Sequence, residues 1–82
     1  MTFRLGLVLD NAEIIDQEET SGRLTLTIMA RGLTKNACKR GARKEAAQLI
    51  PLNDQVIIDE VQRDSFGVGQ RWIFVVVEDQ DG

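Results

Sequence analysis

The sequence predicts an α+β domain with a ββαββ order of elements, in which a four-stranded, mostly antiparallel sheet packs one amphipathic helix on one face. Three observations predict this fold. Two segments of alternating apolar residues open the chain, a cation-rich segment with helical periodicity follows, and two segments rich in β-branched residues close it. The 82 residues are expected to form a single domain, 1–82, because a chain this short cannot support two hydrophobic cores.

The first two strands are predicted from alternation. Apolar residues recur at every second position over residues 3–9, the period of a strand with one face toward a core. Ile14 and Ile15 stand in the acidic stretch that follows, where the strand either continues past a bulge or ends in a loop. After turn residues at 20–22, the alternation resumes over 23–29. The two strands are therefore expected to pair as a hairpin.

A helix is predicted from Lys35 to Leu49 or Ile50. Thr34 is placed to act as its N-cap, with the hydroxyl accepting from a free amide of the first turn. Pro51 ends it, because a proline disfavours helical angles at the residue before it. At about 100° per residue, one side of this helix collects apolar and small residues. These are Cys38, Ala42, Ala46, Leu49 and Ile50.

The last two strands are predicted over residues 55–62 and 70–78, joined by a glycine-containing hairpin loop at 64–69. The final strand is apolar on both faces, although a single helix can cover only one face of a sheet. A second copy of the chain is the economical cover for the other face, so we expect a homo-oligomer. The alternative is that the sheet curls and the first two strands close over that face. The predicted interface residues are Ile73, Val75 and Val77. Residues 78–82 are expected to form a flexible tail.

The middle of the chain is basic and the rest is acidic. Residues 31–50 carry six cations against the single acid Glu45, whereas the whole chain has a net charge of −3. We expect these cations to bind an acidic protein or a neighbouring subunit through an exposed helix face. Nucleic acid is the alternative partner, although the acidity of the remaining chain opposes it. The predicted binding residues are Arg31, Lys35, Lys39, Arg40, Arg43 and Lys44.

The residue types argue against catalysis. The chain contains no histidine, which removes the commonest general base and the commonest metal ligand. Its single cysteine, Cys38, falls on the apolar side of the predicted helix with no base to activate it. We therefore predict a protein that is not an enzyme, with no catalytic, metal or cofactor site.

The sequence also gives an expectation for the cellular compartment. A single cysteine and the absence of a secretory signal favour an intracellular, cytoplasmic protein. The longest apolar run, 72–77, is much shorter than the roughly 18 residues that a membrane-spanning helix needs, so no membrane partner is expected.

From Arg23 onward, the succession of strand, basic helix and hairpin resembles the βαββ order of dodecins, small proteins that form closed dodecamers and bind flavins. That family places a flavin-stacking tryptophan on its middle strand, whereas the only tryptophan here, Trp72, is on the last predicted strand. The resemblance therefore implies a further alternative, a small-molecule-binding oligomer in which Trp72 lines a cavity between subunits. It does not extend to flavin binding.

Overall fold

The computed structural model describes residues 11–79, without the side chain of Phe66, and confirms the predicted fold class. One sheet of four antiparallel strands packs a single α-helix on one face, in the order ββαββ. The elements are β1 (Asn11–Thr20), β2 (Arg23–Gly32), α1 (Lys35–Ala46), a 3-10 turn at Leu52–Asp54, β3 (Val56–Phe66) and β4 (Gly69–Asp79). The strand predicted over residues 3–9 lies outside the described residues.

The strand order in the sheet is β1-β2-β4-β3, which makes β2 and β4 the central pair. These two strands pair without interruption from Arg23 opposite Asp79 to Gly32 opposite Gln70. Each edge strand contains bulges, and the one in β1 falls between Ile14 and Asp16. The acidic stretch is therefore a strand that contains a bulge and not a loop. Whether it continues the strand predicted over residues 3–9 lies outside the described residues.

Both hairpins turn on residues with positive φ. In the first turn Ser21 has φ 50° and Gly22 has φ 76°, the pair of left-handed positions that a type I′ turn uses to match the twist of its strands. In the second turn Gly67 has φ 52°. The predicted loop at 64–69 is too long, because residues 64–66 continue to pair with β4 and only residues 67 and 68 form the turn.

The hydrophobic core lies between the sheet and α1. Alternate residues of β2 and β4 point toward the helix, and Phe74 is the largest fully buried side chain. The helix contributes only small residues, each of which is completely buried: Cys38, Ala42 and Ala46. Because the helix has little bulk on this side, most of the buried apolar volume comes from the strands.

The two ends of α1 differ in how well the sequence predicts them. Thr34 is the N-cap, and its hydroxyl oxygen accepts from the backbone amide of Ala37 at 3.1 Å. At the other end the helix stops at Ala46, earlier than predicted. The next turn is tighter than an α-helix, because the amide of Leu49 donates to the carbonyl of Ala46, three residues before it. Leu49, predicted on the buried side, is therefore exposed, whereas Ile50 is buried.

Gln55 closes the C-terminal end of this helix. Its side-chain amide donates to the carbonyl of Ile50 at 3.0 Å and to that of Arg43 at 2.9 Å, where it adds a second hydrogen bond beside the one from the amide of Ala47. The residue is buried, which gives the amide a structural role that the strand pattern around it did not predict.

The C-terminal strand is also longer than predicted. Glu78 and Asp79, expected in a flexible tail, pair with Leu24 and Arg23 as the last residues of β4. Residues 80–82 lie outside the described part of the chain.

Candidate functional site

The sheet has a second face, opposite α1, which is formed by alternate side chains of its strands. Phe74 and Val76 of β4 are buried under the helix, so the residues that alternate with them along the strand point the other way. No helix or strand among residues 11–79 lies on this second face. Its apolar residues are Met29 of β2, Ile73, Val75 and Val77 of β4, and Val56 and Val61 of β3. The three residues predicted to form an interface thus all lie on it.

The exposure of the second face increases from its centre to one edge. Ile73 and Val75 are half-buried and Val77 is buried, because strands flank them on both sides. On the edge strand β3, Val56 is 56% exposed and Val61 is 42% exposed. Apolar surface therefore continues from the centre of the sheet to the edge at β3.

The margins of this face are acidic. Glu13, Asp16 and Glu18 of β1 are opposite β2 residues of the second face, and Asp59 of β3 is opposite Val75. The guanidinium of Arg71 forms an ion pair with Asp64, so these two charges neutralise each other at one corner. The second face thus combines apolar residues of β4 and β3 with Thr25 and Thr27 of β2, and it has carboxylates at both edges and Arg31 at one end.

The six predicted cations do not form one surface. Two of them, Lys35 and Lys39, form ion pairs with the two carboxylate oxygens of Glu60 on β3, at 2.5 and 2.8 Å. A third, Arg43, donates to the carbonyl of Leu52 at 3.2 Å. Because these three bind within the chain, they are less available to a partner than the sequence implies.

The remaining three cations lie nearer to β1. Arg31 is at the end of β2, opposite Arg71 of β4, and alternation along β2 places it on the second face, away from α1. Arg40 and Lys44 are exposed on α1, and within residues 11–79 the structure records no ion pair or hydrogen bond from either side chain. Of the cations expected on the exposed helix face, only Arg40 and Lys44 are therefore left without a recorded partner within residues 11–79.

A groove of about 1070 Å³ runs between α1 and β1, and Arg40 and Lys44 border it. Small residues allow the helix to lie close to the strand here: a Cβ atom placed on Gly41 would be 3.7 Å from that of Ala12. Leu52, which is exposed, adds an apolar side chain to the lining. We call this the basic groove and define it by Arg40, Lys44, Ala12, Gly41 and Leu52.

Trp72 lies on the helix side of the sheet. Its ring stacks on Phe74 with centroids 6.1 Å apart, and the ammonium of Lys35 is 4.8 Å from the ring centroid. The indole Nε1 donates to the side-chain oxygen of Gln70 at 2.8 Å. Trp72 therefore does not lie on the second face and is not placed to line a cavity formed there. The cluster of Lys35, Trp72 and Glu60 has no sequence signal, because its members come from three separate elements.

The ion pairs of Glu60 are expected to make the stability of the fold depend on pH. Hydrogen bonds from Lys35 and then Lys39 hold the pKa of Glu60 below its ordinary value. A carboxyl whose folded-state pKa is lowered stabilises the fold fully above its unfolded-state pKa, and that stabilisation is lost as the pH falls through the folded-state pKa. We therefore expect the free energy of unfolding to fall less steeply with acidification in the variant Glu60→Gln than in the native chain.

Urea unfolding at a series of values from about pH 6 to about pH 3 tests this expectation. The fluorescence of the single tryptophan, Trp72, reports both unfolding and release of Lys35 from its ring. Equal acid slopes in the native chain and in Glu60→Gln would show that the ion pairs do not contribute to stability.

Within residues 11–79, no three side chains of ligand type converge in a way that could hold a metal ion. Cys38 is completely buried, and its thiol lies 3.6 Å from the carbonyl oxygen of Gln70. The one α-helix in this part of the chain is too short and too polar to cross a membrane.

Comparison with known proteins finds no match for this chain among models of protein families, among curated proteins or among solved structures. The resemblance to dodecins therefore rests on the order of the elements alone.

Proposed function

We propose that this protein is a non-enzymatic, self-associating binding module. Its second face contacts another copy of the chain, and the cations beside α1 bind an acidic surface. The observation that carries the proposal is the apolar second face, on which the described part of the chain places no helix or strand. The interface is centred on Ile73 and Val75, next to Val77, which is already buried within the chain. The acidic partner meets Arg40 and Lys44.

The composition of β4 supports an occupied second face. A strand that is apolar on both sides is typical of a sheet covered on both sides, because leaving such side chains in water forfeits roughly 25 cal/mol for each Å² that burial would remove from water. One side of β4 is covered by α1, where Phe74 and Val76 are completely buried. A second layer over Ile73 and Val75 would give the other side the same environment.

The size of the second face supports another copy as the occupant. Four strands about 4.8 Å apart, paired over ten residues at about 3.4 Å each, present roughly 600 Å². Two copies therefore bury roughly 1,200 Å² in total, which is the lower end of specific protein interfaces and above most crystal-packing contacts. An interface of this size favours reversible association that depends on concentration.

Replacing Val75 with lysine tests the proposal, since Val75 is near the centre of the second face and away from α1. Light scattering coupled to size exclusion is expected to give the native chain a mass above 9.2 kDa at micromolar concentration, and Val75→Lys the mass of a monomer. The matched control is Val68→Lys, which adds the same charge at an exposed turn outside the face and should keep the native mass. A native chain that runs as a 9.2 kDa monomer contradicts the proposal.

A further inference from the structure

We infer that the second face of one copy contacts the basic groove of the next copy, so that the chains associate head to tail. This inference rests on the proposed function, because it names the surface that covers the second face. It also identifies the acidic partner of Arg40 and Lys44 as the carboxylate margin of another copy.

Packing two second faces against each other brings like charges together. The carboxylates along β1 are Glu13, Asp16 and Glu18, and Asp59 lies on the opposite margin at β3. A two-fold axis across the strands places β1 over β1, and one along the strands places Asp16 over Asp59. Either arrangement opposes carboxylates across the interface, and like-charge contacts of this kind are unfavourable.

The opposite side of the molecule carries the complementary charge. Arg40 and Lys44 are exposed there, and the structure records no ion pair or hydrogen bond that engages them within residues 11–79. Both line the basic groove, on the side of the molecule that bears α1. A copy that places this side over the acidic margin of β1 converts the repulsion into attraction.

Apolar surface accompanies these cations. Leu52 in the groove is 52% exposed and Leu49, in the turn after α1, is 44% exposed. Leu52 therefore offers the second face an apolar contact in the same groove as Arg40 and Lys44. Both the charges and the apolar side chains therefore favour contact between the second face and the basic groove.

A contact between two different surfaces is heterologous, so each copy keeps one free surface of each kind after binding. Such contacts close into a ring or continue as a filament, according to the rotation between copies. We therefore expect species larger than a dimer as concentration rises. Because the exposed charge pairs are screened within about 8 Å at physiological salt, these species should dissociate as salt is added.

The test exchanges the charges of the two surfaces. One variant, Arg40→Glu with Lys44→Glu, makes both surfaces acidic, and the other, Asp16→Lys with Glu18→Lys, makes both basic. All four positions are exposed, so the fold should be retained, and circular dichroism checks this. At low salt each variant alone is expected to associate about ten-fold to a hundred-fold more weakly than the native chain. An equimolar mixture is expected to recover the native mass, measured by sedimentation velocity.

The outcomes separate this inference from the proposed function. If Val75→Lys is monomeric while the Arg40 and Lys44 variant keeps the native mass, the two second faces pack together and the head-to-tail inference is overturned. It is equally overturned if both charge variants dissociate but their mixture does not reassociate. A labelled RNA duplex is titrated in parallel. RNA binding that requires Arg40 and Lys44, without any change of mass in that variant, assigns the groove to nucleic acid instead.

Discussion

Replacing Phe74 with alanine is expected to lower the free energy of unfolding by about 3–5 kcal/mol. Phe74 is the largest completely buried side chain among the described residues, and it packs at the centre of the sheet against α1 and stacks on Trp72. Truncation removes its transfer free energy and leaves a cavity that a small domain cannot collapse around fully. A domain of this size is stable by only about 4–12 kcal/mol, so the loss is a large share of the total.

Urea unfolding followed by tryptophan fluorescence measures this effect, and Val68→Ala at the exposed second turn is the control, expected to change stability by less than about 0.5 kcal/mol. If Phe74→Ala is already unfolded in water, Ile28→Val tests the same core with an expected loss of about 0.5–1.5 kcal/mol. A loss below about 1 kcal/mol for Phe74→Ala would show that this residue is not at the centre of the core.

Replacing Gly32 with valine is expected to destabilise the domain by about 1–3 kcal/mol, because the start of α1 lies directly over this residue. A Cβ atom there would be 3.2 Å from the Cβ of Ala37 and from the backbone amide of Cys38, and 3.3 Å from its sulfur. The methyl groups of valine add further volume. Since Gly32 ends β2 and the buried Cys38 cannot move outward, the first turn of the helix has to shift.

Gly41→Ala is the matched control for this second substitution. The added Cβ would lie 3.7 Å from that of Ala12, an ordinary contact, and alanine favours the helix over glycine by about 0.5–1 kcal/mol. Chemical unfolding is therefore expected to show a loss for Gly32→Val and a gain for Gly41→Ala. Losses of similar size in both variants would mean that α1 tolerates no added volume at either glycine.

Much of the fold follows from local patterns. The period of two predicts the second strand and the two faces of the last strand, the period of 3.6 predicts the buried side of α1, and Thr34 predicts where that helix begins. Each of these features depends on residues close together in sequence. The errors also have local causes: the last turn before Pro51 is tightened, which ends α1 at Ala46 and exposes Leu49.

The sequence predicts the candidate sites less completely than it predicts the fold. The sequence identifies Ile73, Val75 and Val77 as one face of a strand, but not the acidic margins around them, which depend on the register of β1 and β3. It also identifies six cations, but not their distribution. Lys35 and Lys39 bind Glu60, which is at least 21 residues away, and only packing of α1 against the sheet brings these groups within 3 Å of each other.

The sequence by itself therefore determined the α+β order of the elements, the three strands after the first, the start of α1 and the basic character of the middle segment, because periodicity, caps and charge are properties of neighbouring residues. The tertiary structure decided which side of the sheet the helix covers and which cations are engaged within the chain. It left Arg40 and Lys44 beside the groove with no recorded partner in residues 11–79. The physical reason is that an ion pair and a buried face both require two elements to meet, and that meeting is set by strand order, register and close packing.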